Sequence, residues 1–439
     1  MTKETVQEST ALLTDMYELT MLQSALVDGT AHRSSVFEVF ARRLQNERRY
    51  GVVAGTARVL EALSRFQFTQ EQLDSLTFLD DKTLDYLSNY RFTGDIDGYR
   101  EGELYFPYSP ILTVRGSFAE CVILETLILS IMNTDSAIAS AAARMVTAAD
   151  GRPILEMGSR RTHEHAAVSA ARAAYLAGFM GTSNLQAAHK YGIPSSGTAA
   201  HAWTLLHVNE DGTPNEEAAF RSQVTTLGTD TTLLIDTFDI TQGVRNAIAV
   251  AGTELGAVRI DSGDLGVMTR KVRQELDSLG AYNTRIVVSS DLDEYAIAGL
   301  RGEPVDSFGV GTSVVTGSGA PTAAMVYKLV EVDGHPVAKR SRGKKTVGGA
   351  KRAARAHRAT GTAVEELIFP FDAELPSVGN LDVRPLTIPL IRDGEIVEGL
   401  PTLEQSRAYL AEQLITLPWE GLALSKDDPV LTTRFLGFE

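Results

Sequence analysis

The sequence predicts an α/β protein whose middle third is a parallel α/β barrel. Apolar, β-branched runs at Pro153–Met157, Thr232–Phe238, Val258–Ile260, Arg285–Ser289 and Ser307–Val310 have the length and composition of buried strands. Helical segments lie between several of them, at Glu164–Phe179, Thr241–Ala251, Val267–Leu279 and Glu294–Gly299, and from Ile235 onward the strands recur every 20–30 residues. That is the βα rhythm of a parallel sheet. Nearly every strand also ends in charge or glycine: "MGSRR", "IDTFD", "RIDSGDLG", "SSDLDE" and "GVGTSVVTGSG". In an α/β barrel the loops after the strands' C-terminal ends build the active site.

The flanking thirds are mixed. "TDMYELTMLQSAL" reads as a helix, because Tyr17, Met21, Leu22 and Ala25 recur at helical spacing, with Thr14 or Asp15 as cap. "SSVFEVFARR" alternates like a strand. Residues 94–116, rich in Gly, Pro, Tyr and Val, read as short strands joined by turns. A long helix is expected over about Glu120–Ala149, interrupted near Asn133-Thr134. "SSGTAAHAW" reads as a helix start, with Ser196 or Thr198 as the cap and His201 one turn in. Beyond the barrel, "MVYKLVEVDG" is a strand and turn, and Leu403–Leu414 a helix. Between them the chain places nine Lys or Arg from Lys339 to Arg358, a run that fits either a phosphate grip or a solvated loop. The domains expected are 1–120, N-terminal α/β; 121–330, the barrel carrying the site; and 331–439, a C-terminal mixed segment packing back on the first.

Totals narrow the function. A 439-residue chain with 44% apolar residues suits two or three domains with sizeable cores. The net charge of −15 argues against a dedicated binder of nucleic acid or anionic membrane, so acidic substrates must be met by local basic groups. A single cysteine, Cys121, suits the cytosol. The polar N-terminus has no signal-peptide core, and the most apolar run, Val122–Met132, is far shorter than the ~20 residues of a membrane span.

The loops carry the chemistry. Arg160 and Arg161 follow a glycine at a strand end, where guanidinium groups can hold carboxylate or phosphate, or pair with nearby glutamates. "RIDSGDLG" sets Arg259 beside Asp261 and Asp264 around a Ser-Gly turn. Carboxylates there can hold sugar hydroxyls or Mg²⁺, or simply cap the next helix. Asp236, Asp239, Ser290 and Asp291 add to a ring of acids and hydroxyls at the predicted barrel mouth. "FGVGTSVVTGSGAP" offers backbone N–H groups that can cradle phosphate, but the Walker spacing and lysine are absent. His163 and His165 in "THEH" do not share a helical face, which weighs against a metal site.

Taken together, "TDMYELTM", "FEVFARR", "EMGSRR", "GTSNLQAAHKYGIPSSGTAAHAW", "RIDSGDLG" and "GVGTSVVTGSGAP" resemble the nicotinate phosphoribosyltransferases, in the same order, from about Leu12 to Leu329. The resemblance implies an irregular α/β barrel with an N-terminal α/β domain, usually a homodimer with shared active sites. It implies that nicotinate and phosphoribosyl pyrophosphate give nicotinate mononucleotide, with ATP as co-substrate through a phosphorylated histidine and Mg²⁺ as cofactor. Carried over by position, Tyr17, donated by the partner subunit, Arg160, Thr198 and Arg259 would bind nicotinate. Arg161, Asp236, Asp261, Asp264, Ser290, Asp291, Gly311 and Thr312 would bind phosphoribosyl pyrophosphate. His201 would carry the phosphoryl group, with Arg259 and Asp261 as its catalytic companions. The stretch after "GSRR" and the basic segment match the family only loosely. Two rivals stand beside this reading: a nicotinamide phosphoribosyltransferase on the same fold, and a non-catalytic binding homologue. The hydroxyls and small residues around Thr198 suit a carboxylate ligand rather than an amide.

Overall fold

A computed structural model describes residues 8–339 and 346–438. The chain forms two compact units. One is discontinuous, running up to Ser140 and again from Ala320; the other is the contiguous stretch Ala141–Gly319.

The contiguous unit is the expected irregular barrel. Its strands are β1 (Ile154–Glu156), β2 (Gly181–Thr182), β3 (Thr232–Leu234), β4 (Ala257–Ile260), β5 (Arg285–Ser289) and β6 (Ser307–Val310). They hydrogen-bond in the order β2-β1-β6-β5-β4-β3, all parallel. The ladder is open between β2 and β3. Beside β2 runs the segment that leads to His201, through a single bridge between Thr182 and Ser195. The strands are short, and the run expected as Thr232–Phe238 stops at Leu234, since Asp236 and Asp239 turn the chain into the next helix. Asp239 caps that helix, Ile240–Ala251, by accepting from the Gln242 N–H. Asp264 does the same for Leu265–Ser278 through Val267 N–H. Each cap satisfies one of the N–H groups that a helix start leaves unpaired.

The discontinuous unit holds a seven-stranded antiparallel sheet. Its order is His335–Pro336, Met325–Val332, Ser34–Ala41, Leu112–Ser117, Asp95–Tyr99, Thr387–Arg392 and Glu395–Ile396. A four-stranded sheet in the same unit contains Lys351–His357. That strand corrects both readings of the basic run at Lys351 and Arg355, while Lys339 and Arg358 are exposed (residues 340–345 lie outside the described residues). Lys351 and Arg355 are buried, neither solvated nor free to grip a phosphate. Lys351 Nζ pairs with Glu38 at 2.9 Å, and Arg355 pairs with Glu103 at 2.5 Å and with Glu366 at 2.8 Å. Burial alone would raise the Glu103 pKa, but Arg355, Arg384 and the Tyr409 hydroxyl outweigh it and hold it down at about 2.

Two helices differ from expectation. The break in the long helix falls at Ile123-Leu124, between Phe118–Val122 and Glu125–Ala149, and not at Asn133-Thr134. Asn133 stays helical because its amide is used sideways, bonding the backbone N–H and C=O of Met325 at 2.7 and 3.2 Å. Thr134 returns its hydroxyl to the Ser130 carbonyl at 2.9 Å. In Met16–Asp28 the buried stripe is Glu18, Leu19, Leu22, Ala25 and Leu26, while Tyr17 and Met21 face out. The buried Glu18 carboxylate is tolerated because Thr14 Oγ1 and the Thr126 N–H and hydroxyl donate to it.

Candidate active site

The sequence around His201 folds differently from expectation. Residues 196–200 are irregular and mostly exposed, and the helix His201–Leu206 begins at the histidine itself. Ala200 is the N-cap and supplies no side-chain bond, so neither Ser196 nor Thr198 caps this helix. His201 therefore projects from a helix start held by small residues. Its Nδ1 lies 3.1 Å from Thr237 Oγ1. Its Nε2 faces two carboxylates, Asp236 Oδ1 at 4.0 Å and Asp261 Oδ2 at 3.9 Å.

The acids are held by the strand ends. Asp236 follows β3, and its side chain is only 1% exposed. Its Oδ2 accepts from the Asp261 N–H at 2.8 Å and from Ser262 Oγ at 2.7 Å. Its Oδ1 is buried and has no hydrogen-bond partner. Asp261 follows β4, where Arg259 precedes it by two residues. Arg259 Nη2 lies 3.5 Å from Asp261 Oδ2, and Arg259 Nε donates to Ser289 Oγ at 2.8 Å. Ser289 Oγ in turn donates to Asp261 Oδ1 at 2.7 Å. Thus His201, Asp236, Asp261 and Arg259, which lie on two strand ends and a helix start, meet in one place.

Beside them is a cavity of about 740 Å³, lined among others by Met157, Ser159, Arg160, Thr198, Arg259 and Val287. That volume is in the range of small-molecule sites. Beneath Arg160, the buried Glu156 accepts from the Gly158 N–H and from Thr182 Oγ1, both at 2.5 Å. Burial raises its pKa, and these two bonds only partly offset the rise. Gly158 lies against the other glycine loop. A Cβ added there would sit 2.2 Å from Val315 Cγ1 and 2.9 Å from the Gly311 carbonyl oxygen, so the close approach requires glycine. Gly311 is the N-cap of the four-residue helix Thr312–Val315.

Other expected site residues are held in different ways. Arg161, Ser290 and Asp291 are exposed at loop positions, Thr312 is exposed at the start of its short helix, and Asp264 is engaged as a helix cap. Ser290 has φ 141°, a backbone conformation that costs a non-glycine residue energy. Tyr17 lies in the other compact unit, 46% exposed. Its hydroxyl pKa is raised to about 12 by partial burial and by Glu125, Glu18 and Asp15, so the ring stays uncharged. His163 caps the helix Glu164–Leu176 by accepting from the His165 N–H at 3.3 Å. Among the described residues no group of three or more His, Cys, Asp or Glu could hold a metal by itself.

Ser289, Thr237 and Glu156 escaped the reading of the sequence. Strand alternation puts Arg285, Val287 and Ser289 on one face. That face was the available signal for choosing Ser289 rather than Ser290.

Comparison with known proteins gives the family. The nicotinate phosphoribosyltransferase (NAPRTase) N-terminal domain matches residues 12–133, and the nicotinate phosphoribosyltransferase (NAPRTase) family matches residues 153–362. The nicotinate phosphoribosyltransferase pncB1 of Mycobacterium tuberculosis is 62% identical over 431 residues, covering 98% of this chain and 96% of its own. The nicotinate phosphoribosyltransferase of Bacillus subtilis is 38% identical, covering 74% and 68%. Among solved structures, human nicotinic acid phosphoribosyltransferase superposes with a TM-score of 0.82 at 26% identity, covering 97% of this chain and 98% of that one. By its sequence and by its fold, the chain belongs to the nicotinate phosphoribosyltransferase family.

Proposed function

We propose that this nicotinate phosphoribosyltransferase couples ATP hydrolysis to nucleotide formation through phosphorylation of His201, with Mg²⁺ at the Asp236–Asp261 pair. The pyridine nitrogen of nicotinate attacks C1 of the phosphoribosyl group, and the bond from C1 to the pyrophosphate oxygen breaks. No base is needed, because the nitrogen brings its own lone pair and becomes a pyridinium. The protein's task is alignment and charge. Arg160, Thr198 and Arg259 face the cavity and hold the carboxylate and ring. Asp261 holds the ribose hydroxyls.

The observation that carries the coupling is the setting of His201. With the proton on Nδ1, that N–H donates to Thr237 Oγ1, and Nε2 presents its lone pair. The γ-phosphoryl of ATP then joins Nε2 as the bond to the β-phosphate oxygen breaks, and ADP leaves. Water later releases the phosphoryl group as phosphate. The orphaned, buried Asp236 Oδ1 fits a bound cation, which would supply charge to the phosphates. Mg²⁺ typically takes one or two carboxylates and completes its shell with water and phosphate, so a two-acid site suffices.

The working enzyme is a homodimer in which Tyr17 of one subunit stacks on the nicotinate of the other, and it acts in the cytoplasm. No helix among the described residues is long and apolar enough to cross a membrane. The test is direct. Incubation with ATP and Mg²⁺ leaves about one acid-labile, base-stable phosphate per subunit, and nicotinate with phosphoribosyl pyrophosphate speeds its loss. His201→Asn removes the label and the ATP stimulation but retains some ATP-independent product. Full ATP stimulation in His201→Asn would overturn the coupling.

A further inference from the structure

We propose that Ser289 is a positioning residue for this reaction: its hydroxyl keeps Arg259 and Asp261 bridged rather than collapsed onto each other. The inference rests on the reading of Arg259 and Asp261 as site residues.

Ser289 is the last residue of β5 and is buried. Its hydroxyl works in both directions, accepting from Arg259 Nε at 2.8 Å and donating to Asp261 Oδ1 at 2.7 Å. Each bond blocks a competing one. An arginine and a carboxylate side by side form a two-pronged pair when nothing intervenes. Here the direct approach is a single contact, Arg259 Nη2 to Asp261 Oδ2 at 3.5 Å. The serine occupies the Arg259 Nε–H and Asp261 Oδ1. Arg259 thereby stays in the cavity wall, and Asp261 Oδ2 stays 3.9 Å from His201 Nε2. The neighbouring strand makes room for this. Ser289 pairs with Gly309, where an added Cβ would lie 3.2 Å from Ser289 Cβ and 2.7 Å from Met157 Sδ.

Ser289→Ala should keep the fold and lower kcat/KM for nicotinate by roughly 10–100-fold, the usual scale for groups that orient a site's ligands. Ser289→Thr keeps the hydroxyl. It should recover to within about threefold of the unaltered enzyme, on the same scale. In a double-mutant cycle with Asp261→Asn, the double variant should lose less than the sum of the two single losses, because both weaken one bridge. Melting temperature is followed throughout. If Ser289→Ala fails to fold, Ser289→Cys, of similar volume and with a weaker donor, carries the same comparison. Turnover within twofold of the unaltered enzyme in Ala or Cys, a Thr variant as impaired as Ala, or strict additivity with Asp261→Asn would each overturn the role. The unaltered enzyme runs in parallel with nicotinate and phosphoribosyl pyrophosphate. Absence of product there would fail the activity itself, whereas an active enzyme indifferent to Ser289 fails only this assignment.

Discussion

Asp236 separates folding from chemistry within one side chain. Oδ2 holds the Asp261 N–H and the Ser262 hydroxyl, while Oδ1 has no protein partner and faces His201. Asp236→Asn keeps an oxygen for the first pair and puts an amide NH₂ in place of Oδ1. The two retained bonds lose their charge assistance, at a cost of about 1 kcal/mol each, and removal of a buried charge offsets part of that. The melting temperature should therefore fall by only a few degrees. Asp236→Ala removes both bonds and leaves a backbone N–H unpaired, a loss of about 3 kcal/mol. For a domain of 150–250 residues that corresponds to roughly 6–12 °C. Turnover should drop in both variants, by about 100-fold or more, equivalent to ~2.7 kcal/mol in the barrier. Differential scanning fluorimetry and a product assay with nicotinate, phosphoribosyl pyrophosphate and Mg²⁺ read the two quantities separately. An Asp236→Asn enzyme with more than half the normal turnover would refute the assignment of Oδ1. An Asp236→Ala enzyme that melts normally would refute the bond accounting.

If Tyr17 is donated across a dimer, Tyr17→Ala and Arg259→Ala chains, each inactive alone, should regain part of the activity when mixed and exchanged; no recovery after proven exchange counts against a shared site. Acid should destabilise the discontinuous unit through Glu103. Its folded pKa of about 2 lies below the ~4.3 of an unfolded glutamate, so its stabilisation of roughly 3 kcal/mol is complete above pH ~4.3 and fades as pH falls toward 2. Urea midpoints of the unaltered chain and of Glu103→Gln between pH 3 and pH 6 should converge toward the acid end, and parallel curves would count against this role.

The barrel was legible because its signals are local. Short β-branched runs, a regular interval and polar strand ends all sit within a few residues of one another. Arg259 and Asp261 stood out for the same reason, as a cation beside two acids. What could not be read depends on distant partners. A window around Lys351–His357 contains only positive charge, and the carboxylate that makes Arg355 buriable, Glu103, lies 252 positions earlier. Thr237 and Ser289 are single hydroxyls in ordinary strand and loop sequence; only the approach of His201, Arg259 and Asp261 in space gives them a task. In Met16–Asp28, Tyr17 and Met21 matched a helical apolar spacing that the core does not use, while Glu18 goes inside because threonines wait there to donate.

The split chain of the discontinuous unit has a consequence for synthesis. Ser34–Ala41, Asp95–Tyr99 and Leu112–Ser117 can pair as soon as they leave the ribosome. Their outer neighbours, Met325–Val332 and Thr387–Arg392, emerge only after the whole barrel has been made. At about 5–20 residues per second, the half-built sheet waits on the order of tens of seconds with both edges bare. Unpaired strand edges are templates for joining other chains. A chain stalled or truncated just past the barrel would therefore carry a finished barrel fused to a sticky three-stranded fragment, exposed to joining other chains until the last third arrives.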